Sequence, residues 1–432
     1  MLRSTAPAFA LSLLLAACGH TAEVPLAETT GPAPELPAPS TTLIPTVKVA
    51  EAVGWPANAA PVPADGLRVQ AFATGLEHPR WLLALPNGDV LVAETAAPPQ
   101  PEQYKDKSIK GHFMRQFMKK AGSAVPSADR ITLLRDADGD GVAEIKRPYI
   151  TGLMSPFGMA LVGSTLYVAN ADALVAFPYD SAADATVASP RTVARLPAER
   201  NHHWTKSLAA GPDGKLYVGV GSNSNVAEHG MAEEEGRAAV WQIDPASGAT
   251  RLYATGLRNP VGLDFNGGEL FVVVNERDEL GSDLVPDYLT RVRDGAFYGW
   301  PWSYYGQTVD TRVEPARPDM VARAVRPDFA LGSHVAPLGL AFADGARLGP
   351  AFANGAFIGE HGSWNRRPFS GYKVVFVPFA NGRPSGQPVD VLTGFLAGDK
   401  AMGRPVGVEI ARDGALLVAD DVGNTVWRVS PD

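Results

Sequence analysis

Six stretches of this chain share one internal pattern, and that repeat limits the possible folds more than any other feature of its 432 residues. "ATGLEHPRWLLALPNGDVLVAE" (73–94), "ITGLMSPFGMALVGSTLYVAN" (150–170) and "ATGLRNPVGLDFNGGELFVVV" (254–274) each read Thr-Gly-Leu, two variable residues, Pro, an apolar segment, a turn and a second apolar segment. A weaker copy runs from Thr393-Gly394-Phe395 into "RPVGVEIARDGALLVAD" (404–420). "HHWTKSLAAGPDGKLYVGVG" (202–221) and "APLGLAFADGARLGPAFANGAFIGEHG" (336–362) lack Thr-Gly-Leu but keep the rest. Pro86-Asn87-Gly88, Pro212-Asp213-Gly214 and Asp413-Gly414 supply hairpin turns, because Gly and Asn or Asp accept the backbone angles a tight turn imposes. One such unit cannot bury its apolar faces alone, so copies must stack on one another.

The wide, uneven spacing leaves room for two further strands and for insertions in each copy. The expected fold class is all-β: a six-bladed β-propeller with a short helical insertion. A parallel β-helix would want shorter, more regular repeats. The strand "LRVQAF" (67–72) precedes the first copy and is expected to complete the last blade. The 44 Gly and 37 Pro suit many short strands joined by turns. The one clear helical pattern is "YKDKSIKGHFMRQFMKKAG" (104–122). There Ile109, Phe113 and Phe117 recur at four-residue steps beside Met114 and Met118, among Lys110, Arg115, Lys119 and Lys120. It reads either as a cap on the propeller or as a membrane-surface or electron-acceptor docking element.

Residues 1–17 combine a basic start, a short apolar core and small residues, the pattern of a secretory signal. Leu15-Ala16-Ala17-Cys18 is similar to the lipobox of bacterial lipoproteins, which makes Cys18 the expected lipidation site and the lipid anchor the expected membrane attachment. The cell envelope, facing the periplasm, is then the expected location. Cys18 is the only cysteine, so no intramolecular disulfide is possible. Residues 18–64, rich in Pro, Ala and Thr, read as a flexible, disordered tether. Residues 65–432 form the expected catalytic domain. A net charge of −8 gives no basic face for nucleic acid.

In a propeller, the variable pair before each innermost strand lies at one mouth of the central channel. The pairs, or their nearest equivalents, are Glu77-His78, Met154-Ser155, His202-His203, Arg258-Asn259, His334 with Val335, and Gly403-Arg404. Several carry His or Arg, so the mouth is expected to bind a small polyanion, since planar guanidinium groups hold carboxylates through two hydrogen bonds at once.

"GLRNPVGLDF", "GGELFVV" and "VRDGAFYGWPW" (292–302) resemble the soluble quinoprotein glucose dehydrogenases and the glucose/sorbosone dehydrogenase family. "DRITLLRDADGDG" (129–141), "VNERDELGSDLVPDYLT" (274–290) and "NGAFIGEHGSWNRRPFSGYKVV" (354–375) are similar to its sorbosone dehydrogenase branch. The resemblance implies a six-bladed propeller that binds pyrroloquinoline quinone (PQQ) and calcium and oxidises a sugar or sugar-derived aldehyde. No haem-attachment motif is present, so a separate electron acceptor, a quinone pool or a cytochrome, is implied.

Carried over to this chain, the resemblance makes His203 the catalytic base, with His202 as its rival. It makes Arg258 and Asn259 quinone contacts, Arg258 polarising the carbonyl beside the hydride-accepting carbon. Arg404 falls on a carboxylate-binding arginine, with Arg366 or Arg367 as a substitute for a second one, whose place is taken by Val406. The family's glutamine before the second blade is likewise replaced by Leu153 or Met154. For calcium, the matching region offers Glu276, Asp278, Asp283 and Asp287, with Tyr298 as a backbone contributor. A second candidate is Asp136-Ala137-Asp138-Gly139-Asp140-Gly141, with alternating oxygens and a sharp Gly. Its twelfth position is Arg147, so Glu144 would have to serve as the closing ligand. Two other readings remain open on the same architecture: a calcium-dependent lactonase-type hydrolase and a non-enzymatic binding propeller.

Overall fold

A computed structural model describes residues 19–42, 46–186 and 188–432; Cys18 and the expected signal lie outside the described residues. The described chain is nearly all-β. Six larger sheets are each built on four antiparallel strands, which in five of the sheets follow one another in order along the chain. Pro79–Ala84, Val90–Glu94, Arg130–Arg135 and Ile145–Ile150 make the first sheet; Met159–Val162, Thr165–Ala169, Ala173–Pro178 and Arg191–Arg195 the second. Lys206–Ala210, Leu216–Val220, Ala239–Ile243 and Thr250–Thr255 make the third. The fourth sheet is led by Asn259–Asn266 and Glu269–Asn275 and continues through Pro286–Arg291 to Phe329–Ser333. The fifth runs through Pro337–Phe342, Gly355–Glu360, Lys373–Ala380 and Val389–Thr393. In the sixth, Pro405–Ile410, Leu416–Asp420 and Thr425–Pro431 are joined by Leu67–Thr74 from the other end of the sequence.

The leading strands pack against one another in order, and that of the sixth sheet returns to that of the first. The recurring Pro-x-Gly of the repeat has its physical reason here. A Cβ on Gly262 would stand 2.8 Å from the Leu340 nitrogen, and one on Gly339 only 2.3 Å from the Val406 carbonyl oxygen. Glycine lets neighbouring leading strands approach backbone to backbone. The proline two residues earlier has no N–H for a regular ladder, and the pairing register slips just after Pro79, Pro260, Pro337 and Pro405. Between the sheets, apolar faces interdigitate, as where Trp81, Phe157, Val261, Leu338 and Val406 of successive leading segments meet in one cluster.

The described residues of the stretch expected to be a flexible tether make contacts along the sheets. Thr30–Gly31 extends the fourth sheet beside Phe329–Ser333, Glu51–Ala52 pairs with Lys400–Ala401, and Val62–Pro63 pairs with Val389–Thr393. Trp55 sets its indole edge-on to Phe395 and Trp427, with centroids 5.5 and 5.4 Å away, and donates to Asp420 Oδ2 at 2.7 Å. Composition hid this because a few anchors suffice when each meets a preformed sheet edge.

Candidate active site

Antiparallel pairing puts the start of every leading strand and the end of every second strand at the same end of the molecule. The variable pairs of the repeat therefore meet the residues that follow Glu94, Ala169, Val220, Asn275, Glu360 and Asp420. On one side His203 Nδ1 lies 2.9 Å from the Ser222 carbonyl oxygen and 3.1 Å from the Ser222 hydroxyl. A carbonyl only accepts, so Nδ1 carries the proton and Nε2 is left with a lone pair. Burial, and after it the Arg258 charge, hold this imidazole well below the usual histidine range, so it is neutral near pH 7. His202 turns its ring edge-on to His203 at 4.7 Å and is itself exposed. Asn259 completes the group: its Oδ1 and the His203 Cβ flank Gly221, and that oxygen is buried without a hydrogen-bond partner.

Arg258 is held by the protein on every side. Its Nε donates to the Asn225 carbonyl (3.2 Å) and Nη1 to that of Glu276 (2.6 Å), while Nη2 reaches Asn225 Oδ1 (3.1 Å) and Asp278 Oδ2 (2.9 Å). Its donors are engaged by the protein, so it clamps the loops after the second strands of the third and fourth sheets rather than presenting a free fork. Asp278 is shared further, accepting from Asn365 Nδ2 at 2.7 Å, with His334 Nδ1 at 3.8 Å.

Across the mouth lies a second group. Asp421 Oδ2 takes Arg80 Nη1 at 2.6 Å and His361 Nε2 at 2.9 Å, with His78 Nε2 at 3.6 Å. Burial alone would raise this carboxyl, but the adjoining imidazoles and the Arg80 guanidinium more than reverse that and keep it ionised. Arg80 lies 5.9 Å from both the Phe157 and Trp204 rings, and Arg404 rests over the Tyr372 ring at 5.0 Å. Arg80 Nε, Arg404 Nε and Nη2, and Arg366 Nε are buried donors without a partner. Arg366 otherwise donates to the Pro368 carbonyl and stands 3.8 Å from Asp283, while Arg367 is turned toward the N-terminal strap, its carbonyl accepting from Ala22. Unmet guanidinium N–H groups in a buried setting are costly unless an anion completes them, so this mouth is built to receive one.

The expected cation sites separate. Glu276, Asp278 and Asp287 are neighbours, but each is already used. Asp287 accepts from the amides of Glu276 and Ala336, Glu276 accepts from the Arg277 amide, and Asp278 is held by Arg258. Burial raises Glu276 to about 7 and Asp287 to about 8, so both tend toward the neutral form. The Tyr298 hydroxyl donates to the Arg291 carbonyl, at the opposite end of Pro286–Arg291 from Asp287. Among the described residues, Asp136, Asp138, Asp140 and Glu144 bring ligand oxygens within 4.8 Å of one another. This loop follows Arg135, while Arg130 at the other end of the same strand pairs with Glu94 at the mouth. Any cation there is therefore remote from His203.

Arg80, His361 and Asp421 were not among the sequence candidates. The signal was present: "EHG" and "ADD" follow the second apolar run of a repeat, and those ends share the mouth with the leading pairs.

A family model described as "Domain of unknown function (DUF7133)" matches residues 76–426. A protein from Borreliella burgdorferi, described as uncharacterized, is 32% identical over 220 residues, covering 50% of this chain and 57% of that protein. The pyrroloquinoline quinone-dependent pyranose dehydrogenase of Coprinopsis cinerea is 24% identical over 360 residues, covering 73% of this chain and 44% of that one. The chain thus spans about half the length of the curated relatives it matches. The holo form of the PQQ domain of pyranose dehydrogenase from Coprinopsis cinerea has the same fold, with a TM-score of 0.68 at 21% identity, over 88% of this chain and all of that one.

Proposed function

We propose, from the premise that this chain belongs to the family described as a domain of unknown function (DUF7133), that it is a six-bladed propeller dehydrogenase. Its substrate would be a sugar or a sugar-derived aldehyde of the sorbosone type, with PQQ as oxidant and a separate electron acceptor. The observation that carries the reading is a neutral imidazole with a free Nε2, His203, at the same mouth as buried, unpartnered guanidinium donors. The likeness to the Coprinopsis PQQ domain and pyranose dehydrogenase supports it.

The donors fit a planar polyanion. Arg80, Arg404 and Arg366 would hold its carboxylates, and the Asn259 amide would bond a polar ring atom. Asp421 keeps Arg80 and His361 in place, and the Phe157 and Trp204 rings shield Arg80 from water. When bound, PQQ supplies an ortho-quinone that accepts two electrons and a proton as hydride. His203 Nε2 takes the proton of the substrate hydroxyl, or of an aldehyde hydrate, as that carbon gives up its hydride, and then releases it to water. The Ser222 carbonyl steadies the imidazolium formed on the way. Calcium would sit in the Asp136–Glu144 loop as a structural ion.

The test is an absorption spectrum of the protein with added PQQ and calcium, before and after aldoses and sorbosone. Stoichiometric binding with substrate-dependent bleaching is expected; His203→Ala should keep the binding and lose the bleaching. No binding at micromolar PQQ would overturn the reading.

A further inference from the structure

The insertion after the second strand of the first sheet crosses the mouth. The Tyr104 hydroxyl meets Glu199 at 3.2 Å beneath the Arg200 guanidinium, 4.7 Å from the ring. Ser108 caps the helix Ile109–Lys120 by accepting from the Gly111 amide. Lys110 reaches Glu279 at 3.4 Å, and beyond the far end Gly122 closes on the side chains of Ala52 and Val422. Twelve helical residues span about 18 Å, enough to bridge the loops of the fourth and sixth sheets.

This helix keeps its apolar outward face in solvent. Ile109 is 79% exposed and Phe113 56%, one turn apart on the same face, and Gly111 is its one buried residue. Lys120 lies in the same line. Lys119 and Lys120 make no ion pair with a described residue. Residues 101–122 carry six cations (Lys105, Lys107, Lys110, Arg115, Lys119, Lys120) against two carboxylates (Glu102, Asp106), a net +4 in a chain of net −8. Exposed aromatic and aliphatic groups ringed by lysine complement a surface that is apolar below and anionic above.

The N-terminal end of the described chain stands on the same face. His20 Nδ1 accepts from the Ser282 amide at 2.9 Å and its carbonyl from the Ser282 hydroxyl at 2.6 Å, three residues beyond Glu279, the partner of Lys110. His20 therefore stands on the side of the body from which the exposed helix projects. No helix among the described residues is long and apolar enough to cross a membrane. We propose that the outward face of Ile109–Lys120 docks on an anionic lipid surface, so that the mouth opens beside the membrane.

Vesicle flotation tests this without reference to catalysis. The probe is the full chain with Cys18→Ser, which removes any acyl linkage, mixed with vesicles of phosphatidylcholine alone or with phosphatidylglycerol. Retention on the anionic vesicles, lost at high salt, is expected. Ile109→Glu/Phe113→Glu should weaken it on the order of tenfold or more, with melting temperature unchanged because both side chains are exposed. Lys119→Glu/Lys120→Glu repeats the test should the first pair disturb folding. Equal retention of all these variants, or retention indifferent to headgroup charge, would overturn the proposal. So would absence of retention alongside capture of an acidic protein by the same face.

Discussion

Two neighbours fix the His203 ring. The Ser222 carbonyl chooses the tautomer, and burial with the Arg258 charge keeps the ring neutral. A base must be unprotonated to act, and a depressed pKa keeps that form present at lower pH. Turnover should therefore hold level as pH falls from 7.5 through 6.5, where a free histidine would be half protonated, and decline only well below that. A rate profile breaking near 6.5 would place the proton elsewhere. His203→Gln should lower kcat by about 10²–10⁴-fold with PQQ binding intact. The places of His203, Asn259 and Arg404 were legible in the sequence because each stands just before, or at the first residue of, a leading strand. The engagement of Arg258 was not, since its partners Asn225, Glu276 and Asp278 come from loops whose meeting only the fold decides.

Among the elements, the repeat carried most of the fold in plain view: the hairpin turns and the strand Leu67–Thr74 lie where the pattern put them, while the close approach at the glycines became visible only in the structure. The glycines of that pattern admit a sharp check. Gly339→Ala would drive a methyl into the Val406 carbonyl at 2.3 Å, and both groups belong to packed leading strands that cannot yield cheaply. A loss of about 3 kcal/mol or more is expected from chemical denaturation. The acidic loop makes a second prediction at this scale. Calcium should raise the melting temperature of the wild type, and a chelator should lower that of Asp138→Ala less than that of the parent, because Asp138 contributes one of four clustered carboxylates. Residues 19–64 were misread because composition reports average hydrophobicity, whereas Trp55 alone joins the strap to Phe395, Trp427 and Asp420.

For the molecule as a whole, Trp55 and Asp420 link the strap to the sheet that joins Leu67–Thr74 to the far end of the described chain. Burial raises the Asp420 carboxyl to about 6, while hydrogen bonds from Trp55 and Trp427 restrain the rise. A raised folded pKa means that stability is lost as pH climbs from the unfolded value toward the folded one. Trp55→Phe removes a donor and pushes the folded value higher. Its destabilisation relative to wild type should be larger at pH 7.5 than at pH 5, where Asp420 is already protonated in the wild-type fold; equal losses would deny the coupling. That sheet joins Leu67–Thr74 to Thr425–Pro431. On the ribosome, the early strand waits unpaired until Thr425–Pro431 has been made, on the order of tens of seconds at ordinary elongation rates. Until then that sheet stays incomplete while the sheets between can already form, so the two ends of the fold are joined last.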